Sequence, residues 1–333
     1  MRKIASLALV SVVAAGALVA AQPKARHNKV IALLEAKQPV FGLYAPSNRR
    51  FPGPPGSAPA TPPPPRKSPA QLAQEAAAYK LTDFVFDGSM EGGMDRAYPA
   101  FAEFSKALAG AGILAKQPSL HLTHPMIVKT PELRPDLAGT QAAIGKQLNL
   151  GVSGVMLVTV ETAEEARAGI AAMRFKSKGG VRPDDVGTAP AVWGMSEAEY
   201  RKKADVWPLN PEGELINWTI VESKKGLENL KEIAAVPGIG VLWPGAGTLR
   251  GVFSSVDSTG QRVVDTAAWE NAIQSVLAAC KANKIACGFP ANANDIETRM
   301  NQGFNVFVMN WGDAGFKTVE AGRKIAGRTD TSQ

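Results

Sequence analysis

Eight times between residues 40 and 312, a short run of apolar, β-branched or aromatic residues is followed by a small or polar residue and then a helical stretch. The runs occupy 40–46, 83–89, 118–124, 154–160, 217–223, 238–245, 285–291 and 306–312. They are continuously apolar rather than strictly alternating, which suits parallel strands covered on both faces. Eight alternating strand–helix units predict an α/β fold of one kind, a closed (β/α)8 barrel. A chain of 333 residues has room for one such barrel and a sizeable core. An open doubly wound sheet is the competing arrangement, but no Gly-rich phosphate-binding turn follows the first run.

Helix starts punctuate the pattern. Ser68-Pro69-Ala70-Gln71 supplies an N-cap Ser, a Pro at the first helical position and a Gln at N3. Thr162-Ala163-Glu164-Glu165 is a capping box after the fourth run, and Asn294-Asp295-Ile296-Glu297 does similar work after the seventh. Two segments depart from a minimal barrel. Residues 47–68 are rich in the chain's 24 prolines and exclude regular helix or sheet. They read either as a spacer or as a partly ordered arm over the active-site face. Residues 175–215 are too long for one helix and contain Trp193, Tyr200 and Trp207, which predicts packed substructure.

Residues 1–21 read as a secretory signal peptide: Arg2 and Lys3, an apolar stretch, then small residues ahead of Gln22. The competing reading, an uncleaved anchor, is disfavoured by the Ala and Gly that dilute the stretch. Residues 22–35 then form an N-terminal extension, 36–328 the single barrel and 329–333 a tail. The protein is expected to be exported, periplasmic or secreted, with no membrane insertion after cleavage. Its net charge is +7, which falls to +5 without the two charges of Arg2 and Lys3. The remaining basic residues are scattered rather than striped, which argues against nucleic acid and mildly favours anionic small molecules. Cys280 and Cys287 lie in apolar runs and read as separate buried thiols, although an oxidising compartment permits a bond.

Barrels of this type place their chemistry at the C-terminal ends of the strands. Those ends hold Tyr44; Asp87 with Ser89 and Glu91; His121 and His124; Glu222; Trp243, Gly245 and Ala246; and Asn310. Here the chain resembles the HpcH/HpaI aldolase and citrate-lyase-like family. The matching segments are LGVSGVMLVTVETAEEARAGIAAMR (150–174), TIVESKKGL (219–227), VPGIGVLWPGAGTL (236–249) and NQGFNVFVMNWGD (301–313), in the family's order and spacing.

The resemblance implies a TIM barrel of the phosphoenolpyruvate/pyruvate type. It also implies a divalent cation held by a Glu after strand five and an Asp after strand six, which stabilises the enolate of a 2-oxo acid during aldol cleavage. A His in a D-G-E-H motif and an Arg after strand three complete the family's set. Residue by residue the match is partial. Glu222 takes the place of the metal Glu. Gly247 or Thr248 stands where the Asp is expected. Asp87-Gly88 begins the D-G-E-H motif, but Ser89 and Met90 follow, with Glu91 one residue on. His121 falls about where the Arg belongs. On an extended segment His121 and His124 point to opposite sides, so one is expected in the site and one packed outside.

These residues set the expectations. Asp87, Glu91, His121 and His124 are the candidate catalytic groups. Tyr44, Ser89, Trp243, Gly245, Ala246 and Asn310 are the candidate substrate contacts, and Glu222 is the candidate metal ligand. Three metal states stay open: weak Mg²⁺, Mn²⁺ or Co²⁺ binding through Glu222, a borderline metal shared by His121 and Glu222, or none. The function expected is a carbon–carbon lyase acting on a 2-oxo acid or related carbonyl compound. Two alternatives stand beside it: a small-anion-binding protein on a degenerate barrel, and an exported enzyme of changed chemistry acting on an aromatic substrate. The resemblance also implies a homo-oligomer.

Overall fold

The structure is a computed structural model that describes residues 25–48 and 65–328. Eight parallel strands close into a barrel: β1 (Val40–Tyr44), β2 (Val85–Asp87), β3 (Met126–Lys129), β4 (Gly154–Leu157), β5 (Leu215–Val221), β6 (Ile239–Pro244), β7 (Ala286–Pro290) and β8 (Val306–Met309). Each strand pairs with its sequence neighbours, and β1 pairs with β8 through Val40↔Val306 to Leu43↔Met309 to complete the ring.

Successive side chains on a strand point to opposite faces, and the core divides accordingly. Val40, Ile216, Trp218, Val306 and Val308 point into the lumen, whereas Phe41, Leu43, Phe307 and Met309 pack outward under the helices. The lumen is solid. Trp218 stacks on Trp243 with ring centroids 5.5 Å apart and meets Phe84 edge-on at 5.2 Å. Room for these rings comes from glycine on facing strands. A Cβ on Gly288 would lie 1.9 Å from the Trp243 ring, and one on Gly42 would lie 2.1 Å from Phe84.

The helices follow the capping signals in part. The Ser68 and Thr162 capping boxes both form, opening Pro69–Ala78 and Ala163–Met173. Helix Ile296–Gln302 starts without a side-chain cap, because the Asp295 carboxylate bonds Asn292 instead. Within 175–215, helices Ala189–Val192 and Glu197–Lys203 bury Trp193 and Tyr200 completely. Residues 1–21, 49–64 and 329–333, which hold the expected signal peptide, most of the Pro-rich segment and the tail, lie outside the described residues. Asn48 bonds both the carbonyl and the N–H of Lys67, drawing the described edges of the Pro-rich segment together.

Three expectations need correction. The third barrel strand is Met126–Lys129, not 118–124, which contributes only a short antiparallel pairing of Leu114–Ala115 with His121–Leu122. Residues 29–35 are not an extension outside the barrel. Helix Lys29–Glu35 closes its N-terminal end, with Val30 and Ile31 joining the lumen cluster. Cys280 and Cys287 are bonded rather than separate, because the end of helix Thr266–Asn283 brings Cys280 back beside β7 with Cα atoms 5.7 Å apart.

The floor also carries a buried ion cluster. Asp83 has no solvent exposure and meets Lys29 at 3.1 Å, Arg323 at 3.4 Å and Arg328 at 2.6 Å. It also accepts the Phe41 N–H at 2.9 Å. Burial alone would raise its pKa; the Arg328 hydrogen bonds and the charge of Lys29 override that and hold it below the ordinary carboxylate range. The cluster ties the first and last described helices to β1 and β2. Among the described residues no helix is long and apolar enough to cross a membrane.

The lumen has no slack, so Gly288→Ala should force Trp243 off its stack. Overpacking of this kind costs about 1–3 kcal/mol. A urea titration of the variant checks this through the lowered midpoint.

Candidate active site

Above the packed lumen, the C-terminal mouth of the barrel is open. A cleft of about 460 Å³ is lined there by the ends of β1, β2 and β3 and by residues after β1, β2 and β8, including Tyr44, Ser47, Asp87, Glu91, Lys129 and Trp311. Its base is Phe86, which meets the Tyr44 ring edge-on at 5.0 Å.

Three charged groups converge in this cleft. The Asp87 carboxylate, at the end of β2, accepts the Ser89 N–H at 2.8 Å and the Ser89 hydroxyl at 2.5 Å, which fixes its orientation. The Lys129 ammonium, at the end of β3, donates to both oxygens of Glu91, at 2.9 and 3.0 Å. Its side chain is only 16% exposed. Tyr44 sits among them. Burial pushes its phenol above its ordinary pKa; Lys129 opposes that, and Glu91, Asp87 and Glu222 reinforce it. The phenol therefore stays protonated at neutral pH and can donate a hydrogen bond.

Glu222 follows β5 at the same mouth and is largely buried. Its Oε1 accepts the N–H of Thr159 at 3.0 Å and the Thr159 hydroxyl at 3.3 Å. Thr159 has φ +50°, a left-handed conformation that costs a β-branched residue free energy and is held here by its bonds to Glu222. The Thr159 hydroxyl also lies 3.3 Å from Glu132, so two carboxylates share one proton donor. Gly245 is needed where the chain turns past Glu222, because a Cβ there would lie 2.3 Å from the Glu222 Cβ.

Several expected site residues lie elsewhere. His121 and His124 precede β3 and sit on the opposite, N-terminal side, so neither reaches the cleft. His124 is buried, with Nε2 donating to the Tyr79 carbonyl at 3.1 Å. Burial pushes its pKa down to about 4. Trp243 is lumen packing, and Ala246 is buried with its carbonyl bonded to Trp269. Met90, at the position of the family His, is turned into the core with no exposure. Tyr44, Asp87, Ser89, Glu91 and Asn310 do line the cleft. Lys129 was missed. It occupies the end of the true third strand, where the resemblance implies an Arg, and its signal was the run Met126–Lys129 closed by Thr130-Pro131.

The donor set does not fit the dication that the resemblance implies. Gly247 and Thr248 stand where the resemblance puts the second carboxylate, and neither supplies one.

Comparison with known proteins agrees with the barrel. The HpcH/HpaI aldolase/citrate lyase family model matches residues 99–319. The chain belongs to this family. The 2-keto-3-deoxy-L-rhamnonate aldolase of Escherichia coli K12 is 31% identical over 170 residues, covering 50% of this chain and 57% of that enzyme. The 2-dehydro-3,6-dideoxy-6-sulfogluconate aldolase of Pseudomonas putida is 29% identical over 120 residues, 34% of this chain and 42% of its own. The chain thus spans 42% to 57% of the length of these two curated relatives. Among solved structures, a family protein from Burkholderia cenocepacia J2315 superposes with TM-score 0.61 at 19% identity, over 90% of this chain and 98% of its own. Macrophomate synthase superposes with TM-score 0.58 at 20% identity, over 91% of this chain and 88% of its own. At such identities these two structures speak for the fold alone.

The placement of His124 has a consequence for stability. The folded state keeps it neutral down to about pH 4, whereas an unfolded His takes its proton near the ordinary value of 6.5. Between these values the unfolded chain binds more protons, so stability should rise with pH across that window and this contribution should level off above it. Urea midpoints measured from pH 4 to 7 should climb less steeply in His124→Gln than in the parent chain; equal slopes would contradict the assignment.

Proposed function

We propose that the protein is a carbon–carbon lyase that cleaves a hydroxylated 2-oxo acid or related carbonyl compound in the cleft between Tyr44, Asp87, Glu91 and Lys129. The observation that carries this reading is the meeting of an oriented carboxylate, a paired ammonium and a protonated phenol at the mouth of an aldolase-family barrel.

Aldol cleavage removes a proton from a hydroxyl and leaves negative charge next to a carbonyl. The Asp87 carboxylate, oriented by Ser89, is placed to take the proton as general base. The charge that builds on the carbonyl oxygen needs preorganised donors. The Tyr44 hydroxyl and the Lys129 ammonium supply two. Glu91 holds Lys129 in position, and Asn310 and Ser47 offer neutral polar contacts to the rest of the substrate. Trp311 gives one wall an apolar face. Glu222 and Thr159 shape the loop behind.

We further propose export. The Cys280–Cys287 disulfide supports it, because such bonds persist in oxidising compartments, and the apolar stretch within residues 1–21 supplies the leader.

The test is release of pyruvate or another 2-oxo acid, and of an aldehyde, from a panel of 4-hydroxy-2-oxo acids. Each assay is run with chelator and with added Mg²⁺, Mn²⁺ or Co²⁺. Cleavage of at least one substrate is expected, with Asp87→Asn lowering kcat by about 10²–10⁴-fold. Saturable binding with no turnover under any condition would favour a non-catalytic binding protein.

A further inference from the structure

We infer that Lys129 acts covalently, forming an imine with the keto carbon of the substrate; this rests on the lyase reading above and replaces the hydrogen-bond role given to Lys129 there. Breaking the bond between C3 and C4 of a hydroxylated 2-oxo acid leaves an electron pair on C3, which needs a sink at C2. A Lewis acid on the keto oxygen is one sink and a protonated imine is another. The first asks for carboxylates on two loops. This chain has Glu222, with Oε1 engaged by Thr159, and carries Gly247 and Thr248 where the resemblance puts the second carboxylate. The second asks for an amine at the carbonyl, a proton acceptor for that amine and a proton donor for the departing water. All three are present.

Lys129 is the amine. Its stem lies along Gly88, with Cδ 3.5 Å from where a Cβ would stand, and its ammonium faces the cleft. An Arg in this place could not give up its proton; a Lys can. Both Glu91 oxygens lie within 3.0 Å of the Lys129 nitrogen, so Glu91 is the acceptor. The Tyr44 ring borders the same glycine, with Cε1 3.9 Å from that point, and its hydroxyl is the donor.

The steps balance. Lys129 gives a proton to Glu91 and its free amine adds to C2, forming a carbinolamine. Tyr44 protonates the hydroxyl, water leaves and a cationic imine remains. Asp87 removes the C4 hydroxyl proton, the C3–C4 bond breaks to an aldehyde and its electrons pass into an enamine. Asp87 returns its proton to C3. Water then adds to C2, giving a proton to the Tyr44 phenolate, and the oxo acid leaves as Glu91 returns its proton to the Lys129 amine. One water leaves and one enters, and no oxidant or reductant is consumed.

Borohydride trapping tests this directly. The full chain is incubated with pyruvate in the presence of chelator, reduced with sodium borohydride, digested and analysed by mass spectrometry. A pyruvate-derived secondary amine is expected on the peptide that carries Lys129. Lys129→Arg, which keeps the charge beside Glu91, should give no adduct while melting like the parent. Its kcat for cleavage should fall about 10³-fold or more. Lys129→Gln provides a second variant for the same comparison should the Arg prove too large to fold. Cleavage with no adduct on Lys129 overturns the imine and leaves the lyase reading standing. Absence of both adduct and cleavage overturns the two together. An adduct on another lysine that persists in Lys129→Arg also overturns the assignment.

Discussion

The stack of aromatic rings inside the barrel decides where this protein can do chemistry. Trp218 lies between Trp243, Phe84 and Phe86, and glycines on facing strands admit the rings. Below them Val30 and Ile31 stop the N-terminal end. With the lumen packed in this way, the described cleft lies above Phe86, where the strand ends deliver Tyr44, Asp87 and Lys129. The same packing fixes those strand ends in space. A reacting group held on a rigid strand needs little reorganisation when substrate arrives.

Charge gives the mouth its character. Asp87, Glu91 and Glu222 all act on the Tyr44 phenol, and Lys129 opposes them there. In the family pattern a dication would balance carboxylates on two loops. Here one of those loops carries glycine and threonine, and the ammonium of Lys129 stands in the place of a guanidinium. The change of residue alters the available chemistry, since an amine can become a nucleophile and a guanidinium cannot. Buried Met90 fits the same picture, because the acid/base position of the D-G-E-H motif has become part of the core.

Much of the architecture was legible in the sequence, because an apolar run buried on both faces and a capping box are local signals. Ser68 and Thr162 cap as their residues predict. The third strand was not legible. Residues 118–124 look strand-like, but the short pairing of His121–Leu122 turns them across the N-terminal face, and the run that enters the barrel is short and ends in a charge. That slip carried His121 and His124 into the expected site and left Lys129 out. The disulfide was hidden for a different reason: only the return of the chain from helix to β7 brings Cys280 and Cys287 together. Asp87, Glu91 and Tyr44 were legible because strand ends can be read without knowing how the strands pair.

The most direct measurement of the central claim is a crystal structure of the protein grown with pyruvate. The account predicts density in the mouth of the barrel, within bonding or hydrogen-bonding distance of Lys129 and Tyr44 and above the Phe86 ring. Pyruvate bound away from this cleft, with Lys129 still closed on Glu91 at saturating ligand, would contradict it.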